Sequence, residues 1–215
     1  MKYLKPYNKL FENHKSIHDL CEKYRIANYT INDDSSINVD GDVNLLDKKL
    51  TKKLPLKFRN VSGSFYGNHL QLTSLEGSPQ SVGGSFYCQA NQLMSLEGAP
   101  QSVGGDFYCS YNKLKRLEGA PQSVGGHFYC HMNKLMSLEG APQSVGGNYI
   151  LDNNPCHLIY YWVNKENRDS LLELSNDYDF LRDDSIIWDR LIAFFVDNNM
   201  RLPKSTELEK YYNII

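Results

Sequence analysis

Residues Val82–Ser102 read Val-Gly-Gly-Ser-Phe-Tyr-Cys-Gln-Ala-Asn-Gln-Leu-Met-Ser-Leu-Glu-Gly-Ala-Pro-Gln-Ser, and the next 21 residues nearly repeat them, as do the 21 after those. Paired glycines consequently recur at 83–84, 104–105, 125–126 and 146–147. A repeat of constant length is typical of a solenoid, in which each unit stacks on its neighbours and buries a continuous core. The repeat therefore predicts the architecture, whereas it leaves the bound partner open.

Each repeat contains one segment that predicts a short strand. In Phe-Tyr-Cys the side chains alternate between faces, so that Phe and Cys point into the core and Tyr points outward. Six such strands are predicted, near residues 42–46, 64–68, 85–89, 106–110, 127–131 and 148–152. Parallel stacking about 4.8 Å apart then places one aromatic ring per strand in an internal ladder. The ladder comprises Phe65, Phe86, Phe107, Phe128 and Tyr149.

Two further positions of the repeat are predicted to serve the backbone. The asparagine three residues after each cysteine, as at Asn91, falls where the chain turns off the strand, and its amide can pair with otherwise orphaned backbone groups. The paired glycines, such as Gly83 and Gly84, are expected to allow a tight turn into the strand. The Glu-Gly-Ala-Pro segment is too short and too rich in Gly and Pro for a helix, so the outer side is expected to be extended.

The chain divides into three parts, which together predict an α+β fold. Residues 1–38 are interpreted as a cap made of a helix and a hairpin, and residues 39–155 as a leucine-rich-repeat-like parallel β-solenoid. Residues 156–215 lose the period and are interpreted as a helical C-terminal cap. Four segments of this cap are predicted to be helical: 158–163, 171–174, 188–196 with Asp184 or Ser185 as its N-cap, and the residues after Pro203.

Composition and charge exclude several classes of protein. Hydrophobic residues make up 41% of the chain and charged residues 22%, which is ordinary for a soluble globular protein. The net charge of −2 gives no reason to expect nucleic acid or an anionic membrane as a partner. The N-terminus lacks the apolar core of a secretory signal, and no apolar run reaches the roughly 18 residues of a membrane helix. We therefore expect a cytoplasmic protein.

The five cysteines do not suggest disulfides. Cys88, Cys109 and Cys130 occupy the same position of the repeat, which indicates packing and not pairing. Free cysteine is among the most buried residue types, so these three are predicted to act as small core side chains.

The pattern Asn-x-Leu-x-Ser-Leu-x-x-x-Pro-x-x-Val resembles the short bacterial leucine-rich repeats, although the 21-residue unit is one residue longer than is usual there. More narrowly, the layout is similar to a family of uncharacterised leucine-rich-repeat proteins of bacteriophages and some bacteria. The similarity includes the segment Ile37–Val43, the Gly-Gly-x-Phe-x-Cys-x-x-Asn-x-Leu units and an Asn-Pro at the start of the C-terminal part. For function the resemblance implies only binding, and for origin either a bacteriophage or a bacterium. The expected partner is a host or bacterial protein, and the location is the cytoplasm, which is the host cytoplasm if the protein is viral.

The outward positions of the predicted strands form the candidate binding site. A row of tyrosines is expected along the concave face, and the positions beside it change from repeat to repeat, as a recognition surface would. The predicted binding residues are Tyr66, Tyr87, Gln89, Asp106, Tyr108, Ser110, His127, Tyr129, His131 and Asp152. The alternative for the tyrosines is that their stacking only stabilises adjacent strands.

No catalytic residue, metal site or cofactor is predicted. His127 and His131 lie about 13 Å apart along a strand, which is too far for both to bind one ion. The row Ser85, Asp106 and His127 places the carboxylate in the middle, whereas a hydrolase triad needs the histidine there. Asp106 is instead expected to favour protonated His127. Two alternatives to a protein binder stay open: a nucleotide or small-molecule binder using the same face, and an enzyme whose site lies in the helical C-terminus.

Overall fold

The computed structural model describes residues 4–48, 50, 52–159, 180–182, 185–197 and 201–215. It shows the expected α+β architecture, a parallel β-solenoid with helices at its two ends. Each full repeat contributes two very short strands, and each strand joins a different parallel sheet.

The N-terminal cap consists of helix α1 (Leu4–Tyr24) and a hairpin of strands β1 (Tyr29–Ile31) and β2 (Ile37–Val39). The two strands are antiparallel, and the Asp34 carboxylate accepts the Ser36 N–H within the turn at 3.1 Å. Strand β2 then pairs in parallel with the first repeat strand, so the hairpin continues into the solenoid. The predicted helix and hairpin are confirmed.

The solenoid strands follow one another in alternation between the two sheets. They are β3 (Val43–Asn44), β4 (Phe58–Val61), β5 (Phe65–Tyr66), β6 (Ser81–Val82), β7 (Phe86–Tyr87), β8 (Ser102–Val103), β9 (Phe107–Tyr108), β10 (Ser123–Val124), β11 (Phe128–Tyr129), β12 (Ser144–Val145) and β13 (Tyr149–Ile150). The Ser-Val sheet has the order β1-β2-β4-β6-β8-β10-β12, and the Phe-Tyr sheet has the order β13-β11-β9-β7-β5-β3.

The six strands predicted from the repeat are those of the Phe-Tyr sheet, and all six are confirmed. The Ser-Val sheet was not predicted. Its repeat strands are mostly two residues long, as in Ser102–Val103, which is too short for an alternating pattern to show. The Glu-Gly-Ala-Pro segment was expected to be extended but contains a turn at Glu97 and Gly98, in which the Ala99 N–H donates to the Leu96 carbonyl at 2.9 Å. The extended residues are the Ser-Val pair that follows, and they form the second sheet.

The predicted aromatic ladder fills the core behind the Phe-Tyr sheet. The rings of Phe86 and Phe107 stack with their centroids 5.4 Å apart and their planes within 10° of parallel. Phe107 and Phe128 repeat this geometry at 5.4 Å. Tyr149 ends the ladder with a tilted ring, and its buried hydroxyl donates to the Pro142 carbonyl at 2.8 Å. One identical contact per repeat thus ties successive turns together.

A second ladder, of buried asparagines, holds the turns that follow the Phe-Tyr strands. The Asn91 Oδ1 accepts the N–H groups of Leu70 and Leu72, both at 3.0 Å, while its Nδ2 donates to the carbonyls of Gly67 and Cys88. Equivalent bonds recur at Asn112, Asn133 and Asn154. The predicted role of these amides is confirmed, because each one satisfies buried backbone groups of two adjacent turns.

The paired glycines are required for a reason different from the one expected. Their φ angles lie outside the left-handed region, which in the repeat is occupied by the later glycine of Glu-Gly, such as Gly98 at +85°, and by the residue before the turn asparagine, such as Ala90 at +54°. A Cβ on Gly104 would lie 2.2 Å from the Gly83 carbonyl oxygen of the preceding turn. A Cβ on Gly105 would lie 2.5 Å from the Ser85 hydroxyl. Glycine is therefore selected by the close approach of stacked turns.

The C-terminal part contains a small sheet that was not predicted. A 3₁₀ helix (Pro155–Leu158) follows the last repeat, and helices α2 (Trp188–Asp197) and α3 (Ser205–Leu208) follow later. Strands β14 (Leu181–Arg182), β15 (Ser185–Ile186) and β16 (Asn213–Ile214) form the sheet. The predicted helical cap therefore has helices but also contains this sheet, whose strands are only two residues long and show no alternating pattern in the sequence.

The predicted helices of the C-terminal part have mixed outcomes. The helix expected over 188–196 and the short one after Pro203 are confirmed as α2 and α3. Ser185 lies in strand β15 and is not a helix cap, while Asp184 lies outside the described residues. The helix expected at 171–174 and most of the segment 158–163 also lie outside them. No helix in the described part of the chain is long and apolar enough to cross a bilayer.

Candidate functional site

Strands β5, β7, β9 and β11 each end in a tyrosine that points away from the core. Adjacent rings are nearly parallel, with centroids 4.8 Å apart for Tyr66 and Tyr87, 4.6 Å for Tyr87 and Tyr108, and 4.4 Å for Tyr108 and Tyr129. We call these four residues the tyrosine ridge. Each is half-buried, because the ring faces cover one another and leave the edges and hydroxyls to the surface. The predicted tyrosine row is therefore present as a continuous, ordered stack.

The hydroxyls of the ridge are mostly unused within the fold. Tyr108 donates to the Asp106 Oδ2 at 2.9 Å. The hydroxyls of Tyr66, Tyr87 and Tyr129 have no hydrogen-bond partner among the described residues. Burial, followed by the bond to the Asp106 carboxylate, raises the pKa of Tyr108 above its ordinary value. The ridge therefore presents three hydroxyls that form no hydrogen bond among the described residues.

The raised pKa of Tyr108 predicts a loss of stability in alkali. Tyr108 is neutral in the folded state over a wider pH range, so above about pH 10 the unfolded chain loses this proton first. Stability that is fully present below pH 10 should decline as the pH rises further, and it should decline less steeply in Tyr108→Phe. Denaturant unfolding at pH 8 to 11 measures both slopes. Equal slopes for the two proteins would contradict the assignment.

The row beside the ridge on the side of the paired glycines, which contains Ser85, Asp106 and His127, partly serves to stabilise the fold. Ser85 Oγ accepts the Asp106 N–H at 3.0 Å, and Asp106 Oδ1 accepts the His127 N–H at 2.6 Å. His127 Nδ1 in turn accepts the Asn148 N–H at 3.0 Å. Each side chain thus accepts a hydrogen bond from a backbone N–H of the next turn. Residues in this row are therefore restricted to those that can accept such a bond. The row is less free to vary for recognition than its sequence suggests.

These contacts also change the expectation for Asp106 and His127. The two side chains were expected to form a pair that protonates the imidazole. The Asp106 carboxylate instead accepts hydrogen bonds from the His127 backbone N–H and the Tyr108 hydroxyl. His127 Nδ1 in turn accepts the Asn148 N–H, so the described contacts include no ion pair between the Asp106 and His127 side chains.

The row on the other side of the ridge contains Asn68, Gln89, Ser110, His131 and Asp152. Ser110 is only 3% exposed, so its placement in the binding surface was wrong. Gln89 and His131 are half-buried, and Asp152 is exposed beside His157 at 3.6 Å. The enclosed atoms Gln89 Oε1 and His131 Nδ1 have no hydrogen-bond partner among the described residues. This row therefore contains polar atoms that form no hydrogen bond among the described residues.

Tyr111 and Met132 extend the ridge and were missed by the sequence reasoning. Tyr111 is 53% exposed, and its ring meets His131 edge-on with the centroids 5.4 Å apart. His131 also lies 6.4 Å from Tyr129, so one aromatic surface runs from the ridge to Tyr111. Met132 is 40% exposed. A signal was present, because this repeat position holds five different residues in turn: His69, Ala90, Tyr111, Met132 and Asn153.

The described metal-binding side chains and thiols do not meet what a metal site or a reactive cysteine requires. In the part of the chain that the structure describes, no group of three His, Cys, Asp or Glu side chains could hold a metal ion. All five cysteines are free and buried, which confirms the prediction for the three in the repeats. Burial raises the pKa of Cys88, Cys109 and Cys130 well above the usual range, so these thiols are poor nucleophiles.

No protein-family model, curated protein or solved structure matches the chain.

Proposed function

We propose that this chain is a non-enzymatic binding protein whose tyrosine ridge engages another protein. The observation that carries the proposal is the stack of Tyr66, Tyr87, Tyr108 and Tyr129, held in one geometry with its edges and hydroxyls at the surface. Tyrosine is enriched at the energetic centres of protein interfaces, because it offers a large apolar edge and a polar tip.

The stacking supports tight binding through its effect on entropy. Ordering a free side chain on association costs about 0.5–1.5 kcal/mol, and each ring of the ridge is already ordered by its neighbours. Tyr66, Tyr87 and Tyr129 bring unused hydroxyl donors, and Gln89 and His131 bring unpaired polar atoms beside them. A partner protein with mixed polar and apolar surface fits this combination.

The hypothesis of a nucleotide stacked on the ridge receives no support from this geometry. Stacking needs a free ring face, whereas the planes of Tyr87 and Tyr108 lie within 8° of parallel at 4.6 Å and cover each other. Only the outer faces of Tyr66 and Tyr129 are not covered by another tyrosine of the ridge. A partner must therefore contact the ridge along its edges, as a protein surface can.

The partner belongs, in this proposal, to the cell in which the chain is made. The resemblance of the repeats to leucine-rich-repeat proteins of bacteriophages and bacteria supports a host or bacterial protein, which a phage product would inhibit or redirect in the cytoplasm. For an enzyme site in the C-terminal part, the residues described there supply no group of three His, Cys, Asp or Glu side chains that could hold a metal ion.

Affinity capture with three versions of the chain tests this function. The first is the wild type, and the second carries Tyr87→Thr, Tyr108→Thr and Tyr129→Thr, which keep strand-forming residues but remove the ridge. The third carries Gln80→Thr, Gln101→Thr and Gln122→Thr in an exposed row beside the Ser-Val sheet of the same repeats. Mass spectrometry should find a protein that the wild type and the glutamine variant retain and the tyrosine variant loses.

Circular dichroism must show the same folded spectrum for all three proteins. Retention of every partner by the tyrosine variant would contradict the proposal. A triple Tyr→Phe variant refines the result, because it keeps the stack and removes the hydroxyls, and partial loss of the partner is expected for it.

A further inference from the structure

A cavity lies between the last repeats and the C-terminal segment, and no residue of the tyrosine ridge lines it. It is an open cavity of about 680 Å³, within the range of small-molecule sites. Its walls include Lys115, Lys134 and Met136 from the repeats, His157 after them, and Lys210 and Tyr211 from the C-terminal segment. The Tyr212 hydroxyl donates to the Met136 carbonyl at 2.7 Å, so the two walls are joined by a direct bond.

The charge of this cavity has one sign. Three lysines and no acidic side chain are found among the described residues that line it, although the whole chain carries a net charge of −2. Among the described residues, no ion pair or hydrogen bond involves the ammonium groups of Lys115, Lys134 or Lys210. The Asp152 carboxylate, which does not line the cavity, lies 3.6 Å from His157. The lysines therefore form an uncompensated positive cluster that favours a multiply charged anion.

The rest of the wall is suited to an apolar group. Tyr211 is 50% exposed and lines the cavity, and no ring stacking on its face is found in the described part of the chain. Met136 and Pro155 add apolar surface beside it. Unlike the tyrosines of the ridge, Tyr211 can thus offer a ring face to a flat apolar group. An inorganic anion alone would leave this surface unused.

We propose that this cavity binds a phosphorylated organic molecule with a flat ring, the three lysines holding its phosphates and Tyr211 and Met136 contacting the ring. Lysine binds phosphate as a compact charge with three donors, and several lysines can share one diphosphate. The site is separate from the tyrosine ridge and does not depend on the function proposed for it.

Calorimetric titration of the full chain with ADP, pyrophosphate and adenosine tests this site. ADP carries both charge and ring, so it should bind most tightly, pyrophosphate more weakly and adenosine most weakly. Lys134→Gln should weaken ADP binding about tenfold or more, as expected for the loss of one charged hydrogen bond. Lys53→Gln, at an exposed lysine paired with Glu76, is the matched control and should leave the affinity unchanged.

Several results would overturn the proposal. These are the absence of binding by ADP at millimolar concentration, equal affinity for adenosine and ADP, equal affinity for pyrophosphate and ADP, or unchanged ADP affinity in the Lys115→Gln, Lys134→Gln, Lys210→Gln triple variant. These lysines are exposed, so the variants should fold, which a thermal melt checks. Unchanged ADP binding by the ridge variant would show that the two sites are independent.

Discussion

Replacing Asn112 by alanine should lower the free energy of unfolding by about 3 kcal/mol or more, because each buried backbone group left without a partner costs roughly 1–3 kcal/mol. The Asn112 Oδ1 accepts the Leu93 N–H at 3.0 Å. Its Nδ2 donates to the carbonyls of Cys88 and Cys109 at 3.0 and 3.1 Å. The side chain is only 8% exposed, so water cannot readily replace these bonds. Denaturant unfolding measures the loss.

The matched control for Asn112 is Asn148→Ala. Asn148 lies on an exposed position of the last repeat, and only its backbone makes described hydrogen bonds. Its replacement should change stability by less than about 0.5 kcal/mol, as is usual for a surface substitution. If the two variants lose similar stability, the asparagine ladder does not hold the turns together as described.

Gly104→Ala should be at least as damaging, through steric overlap and not through a lost side-chain bond. The added Cβ would lie 2.2 Å from the Gly83 carbonyl oxygen and 3.1 Å from its carbon. Neither backbone can shift alone, because the Gly104 N–H donates to the Val82 carbonyl at 2.9 Å. Overpacking commonly costs about 1–3 kcal/mol, and the loss of inter-turn hydrogen bonds adds to it. We expect a loss of about 3 kcal/mol or more in denaturant unfolding.

Two comparisons isolate the steric effect at Gly104. Ser102→Ala changes an exposed residue two positions earlier and should be nearly neutral. Gly105→Ala should cost less than Gly104→Ala, because its nearest neighbour is the Ser85 hydroxyl, a side-chain atom that can rotate away. A Gly104→Ala variant as stable as the wild type would show that adjacent turns are not packed as closely as the structure has them.

The fold could be predicted largely from the repeat because every repeat makes the same contacts. Phe86, Cys88 and Asn91 recur with a constant period. Interpreting a single repeat was therefore enough to predict the aromatic ladder, the buried thiols and the asparagine amides of the turns. The Ser-Val strands could not be found in this way, since two extended residues do not show a period. The reason for Gly83 and Gly84 was also missed, because a contact between turns leaves no local pattern.

The candidate site was predictable only in part. Tyr87 and Tyr108 could be placed on the surface because strand alternation determines the face of a side chain. The bonds of Asp106 to the next turn could not be predicted, because the residues involved are 21 positions apart and the hydrogen bonds depend on rotamers. Burial of Ser110 likewise depends on how the following turn covers it. The alternation of a strand thus predicts which way a side chain points but not how exposed that side chain is.

The central claim, that the tyrosine ridge is the binding surface, is tested most directly by the affinity of the captured partner for three purified proteins. The partner should bind the wild type and the Gln80, Gln101, Gln122 variant within about threefold of each other, as expected for residues outside an interface. The Tyr87, Tyr108, Tyr129 variant should bind about 100-fold or more weakly, because hot-spot tyrosines each contribute about 2 kcal/mol. Equal affinity of the tyrosine variant and the wild type, with both folded, would contradict the claim.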